Sequence, residues 1–145
     1  MRKNIYLIIN KTILVISCFF YFTSSIAAKD LATLKLALKA DLKTQAALEL
    51  LHKSQQDIAY WAPLERADYY LLLAVWQEKA NQVEAAKSSY SKVIAEVEGL
   101  PVSKQLVNGY IERGYMKYLL TNNTQEYCPD RLQALVFARQ LGEAE

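Results

Sequence analysis

The sequence predicts an all-α protein in which helix hairpins stack as an α-solenoid. The first observation is a recurrence of about 39 residues, under which Leu31 aligns with Tyr70 and Ala47 with Ala86. In each copy an apolar helix leads through a short polar turn into a second helix. The second observation is that apolar residues recur at helical spacing, without the alternation that is typical of strands. A unit this short cannot bury its own apolar face, so neighbouring units must stack.

The beginning of the chain has the pattern of an export signal and is set apart from the fold. Positive charge at Arg2 precedes an apolar run at 13–22, and Ser25-Ile26-Ala27 supplies the small residues that signal peptidase requires. The run is shorter than the about 20 residues that a membrane span needs. We expect residues 1–27 to be removed by cleavage before Ala28, with cleavage before Lys29 as the alternative. The protein is then exported to the periplasm.

One alternative concerns Cys18. Val15-Ile16-Ser17-Cys18 resembles the lipobox of bacterial lipoproteins, in which the cysteine is acylated. The next residues, Phe19-Phe20-Tyr21-Phe22, are apolar where a lipoprotein usually has a polar tether. We therefore favour a cleaved secretory signal, and a lipid-anchored envelope assembly factor held through Cys18 stays open as the alternative. Membrane association is expected only in that case, or if the chain is part of a longer receptor.

Residues 28–145 are expected to form one helical-repeat domain, with repeats at about 30–62, 63–100 and 101–145. The whole chain has 17 basic and 15 acidic side chains, and three of the basic ones lie in the predicted signal. The remaining charge is nearly balanced, which gives no electrostatic reason to expect a nucleic acid as partner. Cys128 is the single cysteine after cleavage, so no intramolecular disulfide can form. We expect it to pack as a small apolar residue near a helix start.

Proline, glycine and asparagine mark the predicted helix ends. Pro63 opens the third helix, Gly99 stops the fourth, and Pro129-Asp130 opens the sixth. Turns are predicted near 41–44, 81–82 and 122–123.

Two glycines interrupt the fifth helix, which is predicted over about 103–121. Gly109 and Gly114 each cost about 1 kcal/mol relative to alanine in a helix interior. Such glycines often allow a second helix to approach closely, and we expect that here.

The central repeat resembles the tetratricopeptide repeat (TPR) family. The resemblance rests on residues at the family's aromatic, small and turn positions: Tyr70, Leu73-Ala74, Asn81, Val83, Ala86 and Tyr90. It covers residues 30–145 as about three repeats. Gln77 replaces an aromatic residue of the family pattern, Lys35 replaces a small one, and the third repeat needs an insertion or deletion near its turn to align.

The resemblance implies a concave groove, lined by the first helix of each hairpin, that takes an extended peptide or a partner's helix. In the central repeat it implies four lining residues, Asp68, Leu71, Val75 and Glu78. Tyr115 and Tyr118 on the fifth helix are further candidates for partner binding. Leu71, Val75 and the two tyrosines are equally suited to packing against neighbouring helices, and both interpretations stay open.

The residues of catalytic chemistry are scarce. His52, the single histidine, lies in a plain amphipathic helix and is expected to be a partly exposed structural residue. The sequence has neither a metal-ligand motif nor a phosphate-binding loop. We therefore expect a non-catalytic protein without cofactor or metal, and the leading hypothesis is a periplasmic scaffold that binds a protein or peptide.

A second hypothesis is the sensory input region of a truncated membrane signalling protein. It rests on analogy, because exported repeats of this kind resemble the periplasmic halves of signalling proteins such as TPR-containing diguanylate cyclases. The last predicted helix bears on both hypotheses, since its apolar face is expected to have no neighbour. That face comprises Leu132, Leu135, Phe137 and Leu141. Self-association through this helix, or continuation into a longer protein, would cover it.

Overall fold

Six α-helices joined by short connections make up the part of the chain that the structure, a computed structural model, describes. That part comprises residues 30–39 and 42–142, so the predicted export signal and Cys18 lie outside it. The helices are α1 (Leu31–Leu38), α2 (Thr44–Ser54), α3 (Pro63–Lys79), α4 (Val83–Val97), α5 (Lys104–Thr121) and α6 (Thr124–Gln140), with a 3-10 turn at Ile58–Tyr60. The described residues contain no strand, which confirms the all-α class. Of these helices, none is both long and apolar enough to cross a membrane.

Side-chain caps explain why several helices begin where they do. Asp30 Oδ1 accepts a hydrogen bond of 2.7 Å from the Thr33 backbone N–H at the start of α1. Ser103 caps α5 through Leu106 N at 3.3 Å. Each bond satisfies one of the backbone donors that the first turn of a helix leaves without a partner. Pro63 occupies the first turn of α3, as predicted, because its missing N–H needs no partner there.

Two asparagines in the left-handed conformation form the turns inside the later hairpins. Asn81 has φ 58° and Asn122 has φ 50°, which confirms both predicted turns. The predicted start of α6 at Pro129-Asp130 is wrong, since this helix begins at Thr124 and contains Pro129. Asn122 ends α5, and the Asn123 side chain accepts from Gln125 N at 3.0 Å, so the cap determines the start.

Each helix packs against the next in the chain, with the closest packing between α3 and α4, α4 and α5, and α5 and α6. α3 also touches α5 directly. Burial confirms the 39-residue recurrence between the first two hairpins, because both residues of each aligned pair are buried. The pairs are Leu31 and Tyr70, Leu34 and Leu73, Ala47 and Ala86, and Leu51 and Tyr90.

The third hairpin repeats the second with a spacing of 41 residues. The helix caps Ala62 and Ser103 stand 41 residues apart, and so do Asn81 and Asn122 in the turns. The insertion or deletion expected near the turn of the third repeat is therefore wrongly placed. The extra residues lie earlier, between the start of α4 and the start of α5.

The two glycines of α5 lie where neighbouring helices come closest. A Cβ at Gly109 would stand 3.0 Å from Ile94 Cγ1 and 3.1 Å from Val93 Cγ1, both on α4. A Cβ at Gly114 would stand 3.2 Å from the Tyr127 carbonyl oxygen on α6. The expected close approach is confirmed, and it occurs on both sides of α5.

A buried carboxylate joins α5 to α6. Asp130 accepts from Arg113 Nε at 2.8 Å and Nη2 at 2.7 Å, and Lys117 Nζ lies 3.0 Å from it. Burial raises the pKa of Asp130, but the hydrogen bonds and charges of the two cations outweigh it and hold the pKa below its ordinary value. The paired bond from Arg113 fixes the orientation of the two helices as well as their distance.

Two residues that were assigned structural roles lie at the surface. Cys128 is exposed on α6, so the expectation that it packs as an apolar residue is wrong. Because α6 starts at Thr124, Cys128 lies in the second turn of the helix and not ahead of its start. His52 is exposed on α2.

Candidate binding face

The four residues proposed for the groove lie along one side of α3. Asp68, Leu71, Val75 and Glu78 follow the spacing at which helical side chains share a face. Asp68 is half-buried between two other helices. Its carboxylate lies 2.6 Å from Lys35 Nζ on α1 and accepts from an α5 side chain as well.

That α5 side chain is Gln105, whose Nε2 donates to Asp68 Oδ1 at 2.9 Å. The polar line from Lys35 through Asp68 to Gln105 connects α1, α3 and α5, the first helices of the three hairpins. Glu112 lies two helical turns beyond Gln105 on the same side of α5. We call the surface formed by Lys35, Asp68, Leu71, Val75, Glu78, Gln105, Glu112 and Tyr115 the first-helix face.

Two carboxylates interact near the middle of this face. The Tyr90 hydroxyl on α4 donates a hydrogen bond to Glu78 Oε1. Partial burial raises the pKa of Glu112, and the negative charge of Glu78 raises it further. Burial also raises the pKa of Tyr90, as do its hydrogen bond to Glu78 and the charges of both glutamates. The region therefore carries excess negative charge in partly desolvated surroundings, which favours a cationic group as ligand.

The apolar candidates divide between exposed and packed positions. Val75 is 43% exposed on α3, and Tyr115 is 45% exposed on α5 three residues after Glu112. Leu71 is partly buried and packs against the hydrophobic core. Tyr118 is also half-buried, with its ring centroid 6.4 Å from that of Tyr127 on α6. Tyr118 thus lies at the α5–α6 contact, one turn after Tyr115.

Sequence reasoning missed Gln105 and Glu112 as members of this face and treated Lys35 as a departure from the family pattern. The seven-residue spacing of Gln105 and Glu112 places them on one side of a helix and could have suggested a pair. Their position opposite α3 depends on how α5 is rotated and shifted against α3. That register follows from packing at Gly109, which no local pattern specifies.

The described part of the chain has no cluster of three or more histidine, cysteine, aspartate or glutamate residues arranged to hold a metal ion. The chain matches no protein-family model, and neither the curated proteins nor the solved structures contain a match to it.

Proposed function

We propose that the protein is a non-catalytic, TPR-like scaffold of the bacterial periplasm that binds an extended peptide or protein segment on the first-helix face. The observation that carries the proposal is the exposure of Val75 and Tyr115 beside the carboxylates Glu78 and Glu112, on helices that are in direct contact. Exposed aliphatic and aromatic side chains next to charged groups are typical of binding surfaces. The recurring hairpins supply the rigid support that such a surface needs.

The chemistry of the face favours a particular kind of segment. An apolar side chain of the ligand would contact Val75 and Tyr115, and a lysine or arginine beside it would approach Glu78 and Glu112. Asp68 contributes little free charge, because Lys35 pairs with it at 2.6 Å. The Tyr90 hydroxyl holds the Glu78 carboxylate in position before any ligand arrives, which reduces the entropy cost of binding.

The test begins with selection of binding peptides from a displayed random library against the purified protein. Affinity is then measured by fluorescence anisotropy for the wild type and for Val75→Asp. We expect binding to weaken at least tenfold, because the new carboxylate lies in the apolar part of the face and would have to lose its hydration when an apolar side chain of the ligand covers it. Val136→Asp is the matched control, since Val136 is 48% exposed on α6 and lies apart from the face.

Circular dichroism of both variants checks that helix content is unchanged. Val75 is preferred to Leu71 for this test, because Leu71 packs against the core and its substitution would also disturb folding. Equal affinities for the wild type and Val75→Asp, or selected peptides without basic residues, would contradict the proposal.

A further inference from the structure

An apolar groove runs along the outer side of α5 and α6, away from α4. Ile111, Arg131, Ala134, Leu135 and Ala138 line one part of it, and Cys128 and Leu132 extend it along α6. We call these seven residues the α5–α6 groove. Leu132 is 63% exposed and Leu135 is 41% exposed. Nothing among the described residues covers them.

The 41-residue spacing shows which residues of the second hairpin correspond to this groove. Leu135 on α6 corresponds to Ile94 on α4, and Arg131 corresponds to Tyr90. Ile94 is 3% exposed, whereas Leu135 is 41% exposed. The same position is therefore covered in one hairpin and open in the next.

The covering element in the second hairpin is α5. Gly109 lies directly on Ile94 and Val93, at distances that leave no room for a methyl group. A small residue at the position of Gly109 thus allows a helix to pack closely on this type of surface, and the carboxylate of Glu112 follows one turn later on α5.

The groove differs from the corresponding surface of α4 by a positive charge, which suits a helix that carries a carboxylate. Where the second hairpin has Tyr90, the third has Arg131, whose guanidinium lies 5.2 Å from the Tyr127 ring centroid. Arg131 forms no salt bridge with any residue of the described ranges 30–39 and 42–142. A carboxylate at the position corresponding to Glu112 would face it.

We propose that the α5–α6 groove is a docking site for an amphipathic helix of a partner protein. The helix places a small residue over Ala134 and Leu135 and a carboxylate, one turn later, against Arg131. The groove lies one repeat beyond the surface of α4 on which α5 packs, so it accepts a helix of the same kind. Two copies of the chain docked groove to groove suit it less well, since the groove residues themselves carry no carboxylate to meet Arg131 of the other copy.

The probe for the test is a synthetic, terminally capped and fluorescently labelled peptide with the sequence of residues 103–121. It reproduces α5 with its Gly109 and Glu112, and its binding to the purified protein is followed by anisotropy. We expect saturable binding that Leu135→Asp in the protein weakens at least tenfold. Val136→Asp is again the control, because this exposed neighbour does not line the groove.

A charge exchange identifies the predicted contact. Arg131→Glu in the protein should weaken binding of the natural peptide at least fivefold, and a peptide with Glu112→Lys should regain that loss. A peptide with Gly109→Leu should bind more weakly, because a leucine side chain is larger than the room gained where Ala134 replaces the corresponding Val93.

Three results would overturn the proposal. Absence of saturable binding would show that the groove does not accept the helix. Binding that neither Leu135→Asp nor Arg131→Glu weakens would place the peptide at another site, for example in the position that α5 of the protein itself occupies. Sedimentation velocity of the protein alone provides the third, since a dimer abolished by Leu135→Asp would make a second copy the occupant.

Discussion

Replacing Gly109 by alanine tests the packing of α5 on α4, because two known effects act in opposite directions. Alanine stabilises a helix interior by about 1 kcal/mol relative to glycine. The added methyl group, however, would stand 3.0 Å from Ile94 Cγ1 and 3.1 Å from Val93 Cγ1. Optimal carbon contacts lie at about 3.5 to 4.0 Å, so both neighbours would have to retreat.

Neither neighbour can retreat easily. Val93 is fully buried and Ile94 nearly so, and both are β-branched residues whose side chains have one strongly preferred rotamer in a helix. Overpacking of this kind costs about 1 to 3 kcal/mol, and the rigid surroundings favour the upper part of that range. After subtraction of the helix-propensity gain, we expect Gly109→Ala to lower the free energy of unfolding by about 1 to 2 kcal/mol.

Urea denaturation followed by circular dichroism measures this difference. Asn108→Ala is the matched control, because Asn108 is the exposed neighbour in α5 and its substitution reports helix propensity alone. The double variant Gly109→Ala with Val93→Ala should lose less stability than the two single variants lose together. Removal of the Val93 methyl groups makes room for the methyl group added at position 109. An increase in stability of about 1 kcal/mol for Gly109→Ala would refute the close approach.

Further predictions concern the buried polar contacts. Asp130→Asn should lower the free energy of unfolding by about 2 to 3 kcal/mol in urea titrations, because Arg113 and Lys117 then keep their partly buried charges without a carboxylate. The folded-state pKa of Asp130 lies below the unfolded value of about 4. Its stabilisation is therefore complete above that pH and is lost as the pH falls through the folded-state pKa, so acid titrations of the wild type and Asp130→Asn should converge. Tyr69→Phe should cost about 1 kcal/mol in thermal or urea unfolding, because the hydroxyl donates to the Leu51 carbonyl at 2.9 Å. Burial raises the pKa of Tyr69 above 10.0, so wild-type stability should fall above that pH, and by less in Tyr69→Phe.

Local patterns predicted the features that depend on a few neighbouring residues. Pro63 at a helix start and the left-handed turn at Asn122 follow from constraints on single residues. The glycines of α5 were also informative, since a costly residue in a helix interior implies a packing reason. Gly109 and Gly114 indeed lie at the closest helix contacts.

Other features depend on competition between signals or on tertiary register. Pro129 is a good helix start, but Asn123 offers a side-chain cap directly after Asn122, the residue at which α5 ends. The helix therefore starts at Thr124, five residues before Pro129. The exposure of Cys128 follows from that start. The pairing of Asp68 with Gln105 could not be predicted, because it depends on the rotation of α5 against α3.

The measurement that tests the central claim most directly is amide chemical-shift mapping of the protein while a selected peptide is added. We expect the perturbed amides to cluster on α3 around Val75 and Glu78 and on α5 around Glu112 and Tyr115. Perturbations confined to α1 and α2, or to the outer side of α6, would contradict binding on the first-helix face.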